Sequence, residues 1–173
     1  DLFSQWAVEY IQSRNNIEEP FFLYLAYNAP HFPVQPPEAY YQRVLKREPS
    51  IPKKRAKLIA FIEHLDEGIG KVIKTLKESG QYENTLIIFT SDNGGHLPSL
   101  ANNGLLRDGK QSMYEGGLRV PTVMVWPNKI DKGSTTKQVN ATVDIYPTLL
   151  SIAGLENNDS FDGRSFYSTL LGR

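Results

Sequence analysis

The strongest constraint on the fold is a long helical stripe between two short apolar runs. Within residues 55–79 the apolar side chains recur at helical spacing, and Gly80 follows where a helix C-cap belongs. Residues 21–26 and 85–90 are continuous apolar runs, which favours strands buried on both faces. A strand, a long helix and a second strand predict a right-handed crossover and a parallel sheet.

Weaker patterns predict the remaining elements. Residues 3–14 have the spacing of an amphipathic helix, and residues 121–126 resemble a third strand. Residues 144–152 predict a helix that is closed by Gly154. Six prolines between residues 28 and 53 predict an irregular segment with one short helix near 37–45.

These elements together predict an α/β protein with three layers, α/β/α, around a mostly parallel sheet. Three strands that are buried on both faces make an unusually small parallel sheet, because its open edges need neighbours. The sheet is therefore expected to be incomplete. Its free edge also predicts oligomerisation by strand pairing.

Composition excludes several classes of function. The chain of 173 residues has a formal net charge of zero, so nothing in it attracts nucleic acid or an anionic membrane in general. It contains no cysteine, which excludes thiolate metal sites and a cysteine-derived nucleophile within the chain. No window approaches the roughly 18 apolar residues that a membrane span needs.

The first candidate site follows the run at 85–90, at Asp92 and Asn93. In open α/β sheets, ligands bind beyond the carboxyl ends of the strands. A carboxylate and an amide carbonyl are oxygen donors that suit Ca²⁺ or Mg²⁺, but two ligands do not complete a shell of about six to eight. The alternative is a plain turn, since Asp, Asn and Gly dominate turns.

Three further side chains have a chemical and a bland interpretation. Lys110 lies in a glycine-flanked loop and is placed to present an ammonium to an anion, or is a solvated surface lysine. His31 is bracketed by prolines that stiffen its backbone, so it can donate a hydrogen bond or act in acid–base chemistry, although a packed or solvent-facing histidine is the commoner outcome. His96, beside Asp92 and Asn93, is a candidate for the rim of a substrate site. A cation, an ammonium and an imidazole in one crevice would bind sulfate or phosphate.

An ordered set of motifs extends over nearly the whole chain and resembles the type I sulfatases of the alkaline-phosphatase-like superfamily. The set comprises Ala29-Pro30-His31-Phe32-Pro33, residues 62–70, Thr90-Ser91-Asp92-Asn93-Gly94-Gly95, residues 106–110, residues 114–121, Asp144-Ile145-Tyr146-Pro147-Thr148-Leu149, Asp162-Gly163-Arg164-Ser165 and Leu170-Leu171-Gly172.

The resemblance implies a role for each candidate residue. Asp92 and Asn93 correspond to ligands of Ca²⁺, and Lys110 and His31 correspond to catalytic residues that contact the sulfate group. The implied reaction is hydrolysis of sulfate esters, and the implied substrates are sulfated small molecules or sulfated sugars. The resemblance also implies a periplasmic or secreted protein.

The chain departs from the family pattern in one respect that matters for catalysis. The family nucleophile is a formylglycine made in a Cys/Ser-x-Pro-x-Arg motif, and this sequence contains no such motif. Residues 1–173 are therefore expected to be a partial catalytic domain without its N-terminal half and its C-terminal subdomain, and inactive alone. The alternatives are a phosphoester or phosphonate hydrolase of the same superfamily and a non-catalytic domain that binds anions or a partner.

Overall fold

The structure, a computed structural model, describes residues 1–158 and 160–172. The described residues divide into two compact units. The first contains residues 1–82 and 93–120, and the second contains residues 83–92 and the chain from 121 onward. One partial domain over residues 1–173 thus stays a prediction.

Helices form most of the first unit; the first three lie at the predicted places, whereas the short fourth helix was not predicted. They are α1 (Leu2–Ser13), α2 (Glu38–Arg47), α3 (Lys53–Glu78) and the short α4 (Glu115–Leu118). Prolines precede both α2 and α3, where a fixed φ and a missing N–H cost the helix nothing. Gly80 follows α3 with φ at +72°, the left-handed conformation that a glycine adopts without steric cost.

The core of this unit lies between α2 and α3. Val44, Ala56 and Ala60 are fully buried, and the alanines let the two helix backbones approach closely. Partly buried apolar side chains surround them: Tyr40, Tyr41, Leu45, Ile51 and Ile59.

Helix α1 packs on the other part of α3. A Cβ atom added at Gly68 would lie 2.4 Å from Oγ of Ser4, so α1 approaches α3 where α3 has no side chain. The Ser4 hydroxyl is buried and shares a hydrogen bond of 2.9 Å with the Tyr27 hydroxyl. Ile11 of α1 is only 1% exposed and anchors the helix.

Polar contacts support the packing of α2 and α3. The Tyr40 hydroxyl donates a hydrogen bond to the Glu67 carboxylate, which lowers the pKa of Glu67 and raises the pKa of Tyr40. His64 packs its ring against Tyr40 and bonds the Asp1 carboxylate at 2.9 Å. Burial lowers the pKa of His64, because desolvation disfavours the imidazolium.

The prediction of a strand at residues 21–26 is wrong. The segment is extended, but within 1–158 and 160–172 it pairs with no other strand. Its exposure alternates residue by residue, and Phe22 and Tyr24 are 71% and 81% exposed. The sequence has the composition of a buried strand, but within residues 1–158 and 160–172 no other strand pairs with it.

The second unit contains the only sheet in the described part of the chain. Strand β1 (Ile87–Phe89) pairs with β2 (Val123–Val125) in antiparallel order, with Ile88 opposite Met124. A hydrogen bond of 2.8 Å between the Thr90 and Thr122 hydroxyls extends the pair. The predicted parallel crossover between residues 21–26 and 85–90 is not observed among the described residues, because residues 21–26 form no strand.

Two helices complete the second unit. They are α5 (Ile145–Ile152) and α6 (Tyr167–Leu170). The Asp144 carboxylate precedes α5 and accepts bonds of 2.7 Å from the backbone N–H groups of Ala141 and Arg164. Among the described residues, no helix is both long and apolar enough to span a bilayer.

Substitution of a buried apolar side chain tests the packing of α1. We expect Ile11→Ala to lower the free energy of unfolding by about 2–5 kcal/mol, because it removes three buried carbons and leaves a cavity. The matched control is Ile62→Ala, since Ile62 is 44% exposed and its loss should cost about 1 kcal/mol or less. Urea unfolding measures both, and an equal cost for the two variants would contradict the described packing.

Candidate anion and metal site

Backbone hydrogen bonds join the two ends of the loop formed by residues 93–120. The Gly94 N–H donates to the Gly117 carbonyl at 2.9 Å. The Lys110 N–H donates to the Gly95 carbonyl at 3.1 Å. The second bond holds the Lys110 backbone against Gly95, which follows Asn93 by two positions. Along the chain, 17 positions separate Lys110 from Asn93.

Glycines make this close approach possible. A Cβ atom at Gly94 would lie 1.7 Å from the Gly116 carbonyl oxygen, and one at Gly116 would lie 2.0 Å from the Asp108 carbonyl oxygen. No side chain fits at such distances from a backbone oxygen. The glycines of the Asp-Asn-Gly-Gly and Tyr-Glu-Gly-Gly motifs thus serve packing between the two segments.

The Asn103 side chain bridges the same two segments. Its Oδ1 accepts a bond of 2.9 Å from the Gly95 N–H, and its Nδ2 donates to the carbonyls of Gly95 at 3.2 Å and Asp108 at 2.8 Å. The Asn103 carboxamide thereby contacts both Gly95, whose carbonyl accepts the Lys110 N–H, and Asp108, which lies two positions before Lys110. The sequence analysis missed this residue, since Asn-Gly in a loop predicts only a turn.

Helix α3 holds the outer part of the loop. The Lys54 ammonium donates to the Pro98 carbonyl, and the Arg55 guanidinium donates to the Leu100 carbonyl at 2.7 Å. Nδ1 of His96 lies 2.7 Å from the Ser99 hydroxyl in the same turn. These contacts fix the backbone around His96, and nothing in the spacing of the basic residues predicted them.

Lys110 itself occupies a constrained piece of backbone. Asp108 and Gln111, which lie before and after it in the chain, have φ values of +65° and +76°. Residues other than glycine rarely adopt such values. The Asp108 carboxylate accepts a bond of 2.9 Å from the Gly109 N–H. Among residues 1–158 and 160–172, no carboxylate forms an ion pair with the half-buried Lys110 ammonium. The ammonium is available to an anion.

His31 lies in a tight turn that the Asn28 carbonyl closes by accepting a 2.9 Å bond from the His31 N–H. Its Nδ1 is 2.7 Å from the Phe32 carbonyl oxygen. Since a carbonyl only accepts, Nδ1 must carry the proton, and Nε2 is left to exchange protons with a ligand. The side chain is exposed.

Asp92 and Asn93 are adjacent at the end of the segment that follows β1. The Asp92 side chain is exposed and the Asn93 side chain is half-buried. Their carboxylate and carbonyl oxygens fit a hard cation such as Ca²⁺ as part of its shell. Within the described residues, no group of three or more acidic or histidine side chains is arranged to complete that shell.

The structure thus joins some predicted residues and leaves others separate. Hydrogen bonds connect the segment of Asn93 and His96 with Lys110. In the described part of the chain, no hydrogen bond or ion pair links His31 to His96 or Lys110.

The sequence matches known proteins over almost its whole length. The Sulfatase family model matches residues 1–155. N-acetylgalactosamine-6-sulfatase of Mus musculus is 34% identical over 176 residues, covering 98% of this chain and 32% of that protein. A sulfatase of Formosa agariphila is 37% identical over 187 residues, covering 98% of this chain and 33% of that protein. The chain spans about a third of the length of these relatives.

Comparison with solved structures gives the same result. The crystal structure of Ps i-CgsB in complex with k-i-k-neocarrahexaose superimposes with a TM-score of 0.92 at 37% identity, covering 99% of this chain and 38% of that one. This likeness confirms the predicted alkaline-phosphatase-like α/β fold, of which the chain contains part. The chain belongs to the sulfatase family, whose members hydrolyse sulfate esters.

Proposed function

We propose that residues 1–173 are a partial sulfatase catalytic domain that supplies metal-binding and sulfate-binding residues for the hydrolysis of sulfate esters. The observation that carries the proposal is the hydrogen bond from the Lys110 N–H to the Gly95 carbonyl. It holds the backbone of Lys110 against the segment that follows Asn93, which supports a role for the Lys110 ammonium in binding a tetrahedral anion there.

Lys110 and His31 are the proposed catalytic residues. The reaction adds water to a sulfate ester and yields an alcohol and hydrogen sulfate. The Lys110 ammonium donates hydrogen bonds to the sulfate oxygens, which become more negative as the ester bond breaks. His31 holds a proton at Nε2, once the ring is protonated, and delivers it to the leaving oxygen. His96 lines the substrate side of the site.

Asp92 and Asn93 are the proposed ligands from this chain for Ca²⁺. A bound Ca²⁺ supplies positive charge that stabilises the sulfate oxygens. Both side chains end in oxygen donors, as a hard cation requires, and two such ligands form part of a shell of about six to eight oxygens.

Sulfated sugars are the proposed substrate class. Ps i-CgsB binds k-i-k-neocarrahexaose, and the mouse relative is named as an N-acetylgalactosamine-6-sulfatase. The family relationship supports a periplasmic or secreted compartment. Association through the extended segment 21–26 and the edges of β1 and β2 is also proposed, because their backbone groups offer free pairing positions.

Sulfate binding by the chain tests the role of Lys110. We expect sodium sulfate, titrated at constant ionic strength, to shift the backbone NMR signals of Lys110 and Gly95. Lys110→Met should weaken this binding about tenfold or more, because a charge-assisted hydrogen bond is lost. Lys129→Met is the control, since Lys129 is an exposed lysine outside residues 93–120.

The competing interpretations predict different titrations. Equal binding by the unaltered chain and Lys110→Met would contradict the proposal. Inorganic phosphate that binds much more tightly than sulfate would favour a phosphoester or phosphonate hydrolase instead.

Calcium titration tests Asp92. We expect saturating Ca²⁺ to raise the sulfate affinity of the chain at least about fivefold, because the cation and the ammonium would bind the same anion. Asp92→Asn should abolish that coupling, and Asp131→Asn should leave it unchanged. Weak calcium binding without any effect on sulfate would favour a non-catalytic domain.

The absence of a Cys/Ser-x-Pro-x-Arg motif leads to a prediction about activity. We expect the pure 173-residue chain to release no product from an aryl sulfate, with or without Ca²⁺, because it cannot form the formylglycine nucleophile. Release of the phenol by a homogeneous preparation, above the rate of a buffer blank, would contradict this.

A further inference from the structure

We propose that Asn103 is a positioning residue that holds the peptide of Lys110 against Gly95 and thereby sets the affinity of the site for anions. The inference rests on the proposed function of Lys110. Three hydrogen bonds from one carboxamide support it: Gly95 N–H to Oδ1 at 2.9 Å, and Nδ2 to the carbonyls of Gly95 and Asp108 at 3.2 and 2.8 Å.

The loop has few apolar contacts that would hold it in place otherwise. Leu105 is fully exposed, Met113 is 84% exposed, and Tyr114 and Leu118 are also exposed. A segment with little buried apolar surface opens easily unless polar contacts close it. The order around Lys110 therefore depends on backbone hydrogen bonds, on the glycine contacts and on Asn103.

Asparagine is the side chain that fits this position. The Gly95 N–H needs an acceptor, and the carbonyls of Gly95 and Asp108 need donors, so the group must offer both at one place. Aspartate has the same size but only accepts, and it would face two carbonyl oxygens with a negative charge. Glutamine has the same groups on a longer stem, so its carboxamide would overrun Gly109, whose added Cβ would already lie 2.9 Å from Nδ2.

The contact acts on Lys110 through Gly95 and Asp108. Lys110 donates its N–H to the Gly95 carbonyl, which also accepts from Asn103. Asp108 precedes Lys110 by two residues and has φ at +65°, a conformation that persists only when its surroundings hold it. Without Asn103, the backbone on both sides of the Gly95–Lys110 hydrogen bond loses a restraint. The backbone from which the Lys110 side chain extends is then no longer held in one position.

The experiment measures amide hydrogen exchange by NMR and sulfate affinity in the whole chain. The variants are Asn103→Ala, which removes all three bonds, and Asn103→Asp, which keeps the acceptor for Gly95. The matched controls are Asn102→Ala and Asn102→Asp, because Asn102 lies in the same loop but bonds only the nearby Gly104 N–H, at 2.8 Å.

We expect the Lys110 amide to exchange about tenfold faster in both Asn103 variants, since two donor bonds are lost in each. The Gly95 amide should stay protected in Asn103→Asp and lose protection in Asn103→Ala. Both Asn103 variants should bind sulfate at least about fivefold more weakly than the unaltered chain. The amides of α3 should be unchanged, which separates a local effect from general unfolding.

Each outcome decides the inference. Unchanged exchange at Lys110 in both Asn103 variants would overturn it, and so would faster exchange with unchanged sulfate affinity. Equal effects of the Asn102 controls would also overturn it. If the unaltered chain binds no sulfate, the proposed function fails, and the exchange of the Lys110 amide alone then decides whether Asn103 holds this peptide.

Discussion

The contact between Gly94 and the Gly116 carbonyl is the constraint on which the candidate site depends. An added Cβ at Gly94 would lie 1.7 Å from that oxygen, so two backbone segments meet with no side chain between them. This approach allows the hydrogen bonds from Gly94 to Gly117 and from Lys110 to Gly95. The position of the Lys110 backbone beside Gly95 therefore depends on close backbone packing within residues 93–120.

The capacity of the site to bind an anion depends on the Lys110 ammonium. Some basic residues elsewhere on the first unit are engaged: Arg47 binds Glu63 at 2.7 Å, and Lys54 and Arg55 bind loop carbonyls. The Lys110 ammonium forms no ion pair among the described residues. In a chain with zero formal net charge, one such cation on a fixed backbone provides local anion recognition without a general attraction for polyanions.

A second feature of the molecule is its uncovered apolar surface. A groove of about 350 Å³ lies between α1 and the extended segment 21–26, and its aromatic lining includes Trp6, Tyr10 and Tyr24. Aromatic surface of this kind is normally buried by a neighbouring layer. The chain spans about a third of the length of its sulfatase relatives, which agrees with an α/β layer that is only partly covered here.

The sequence by itself determined α2 and α3, because the apolar stripe of α3 and the prolines before both helices act within a few residues. It also identified Asp92 and Lys110 as candidate site residues, since the motifs that contain them are local in the sequence. Only the tertiary structure decided that residues 21–26 are unpaired, that β1 and β2 are antiparallel, and that Asn103 bridges Gly95 and Asp108. Strand pairing and a bridging amide depend on partners that are distant in sequence, and no local pattern specifies such partners.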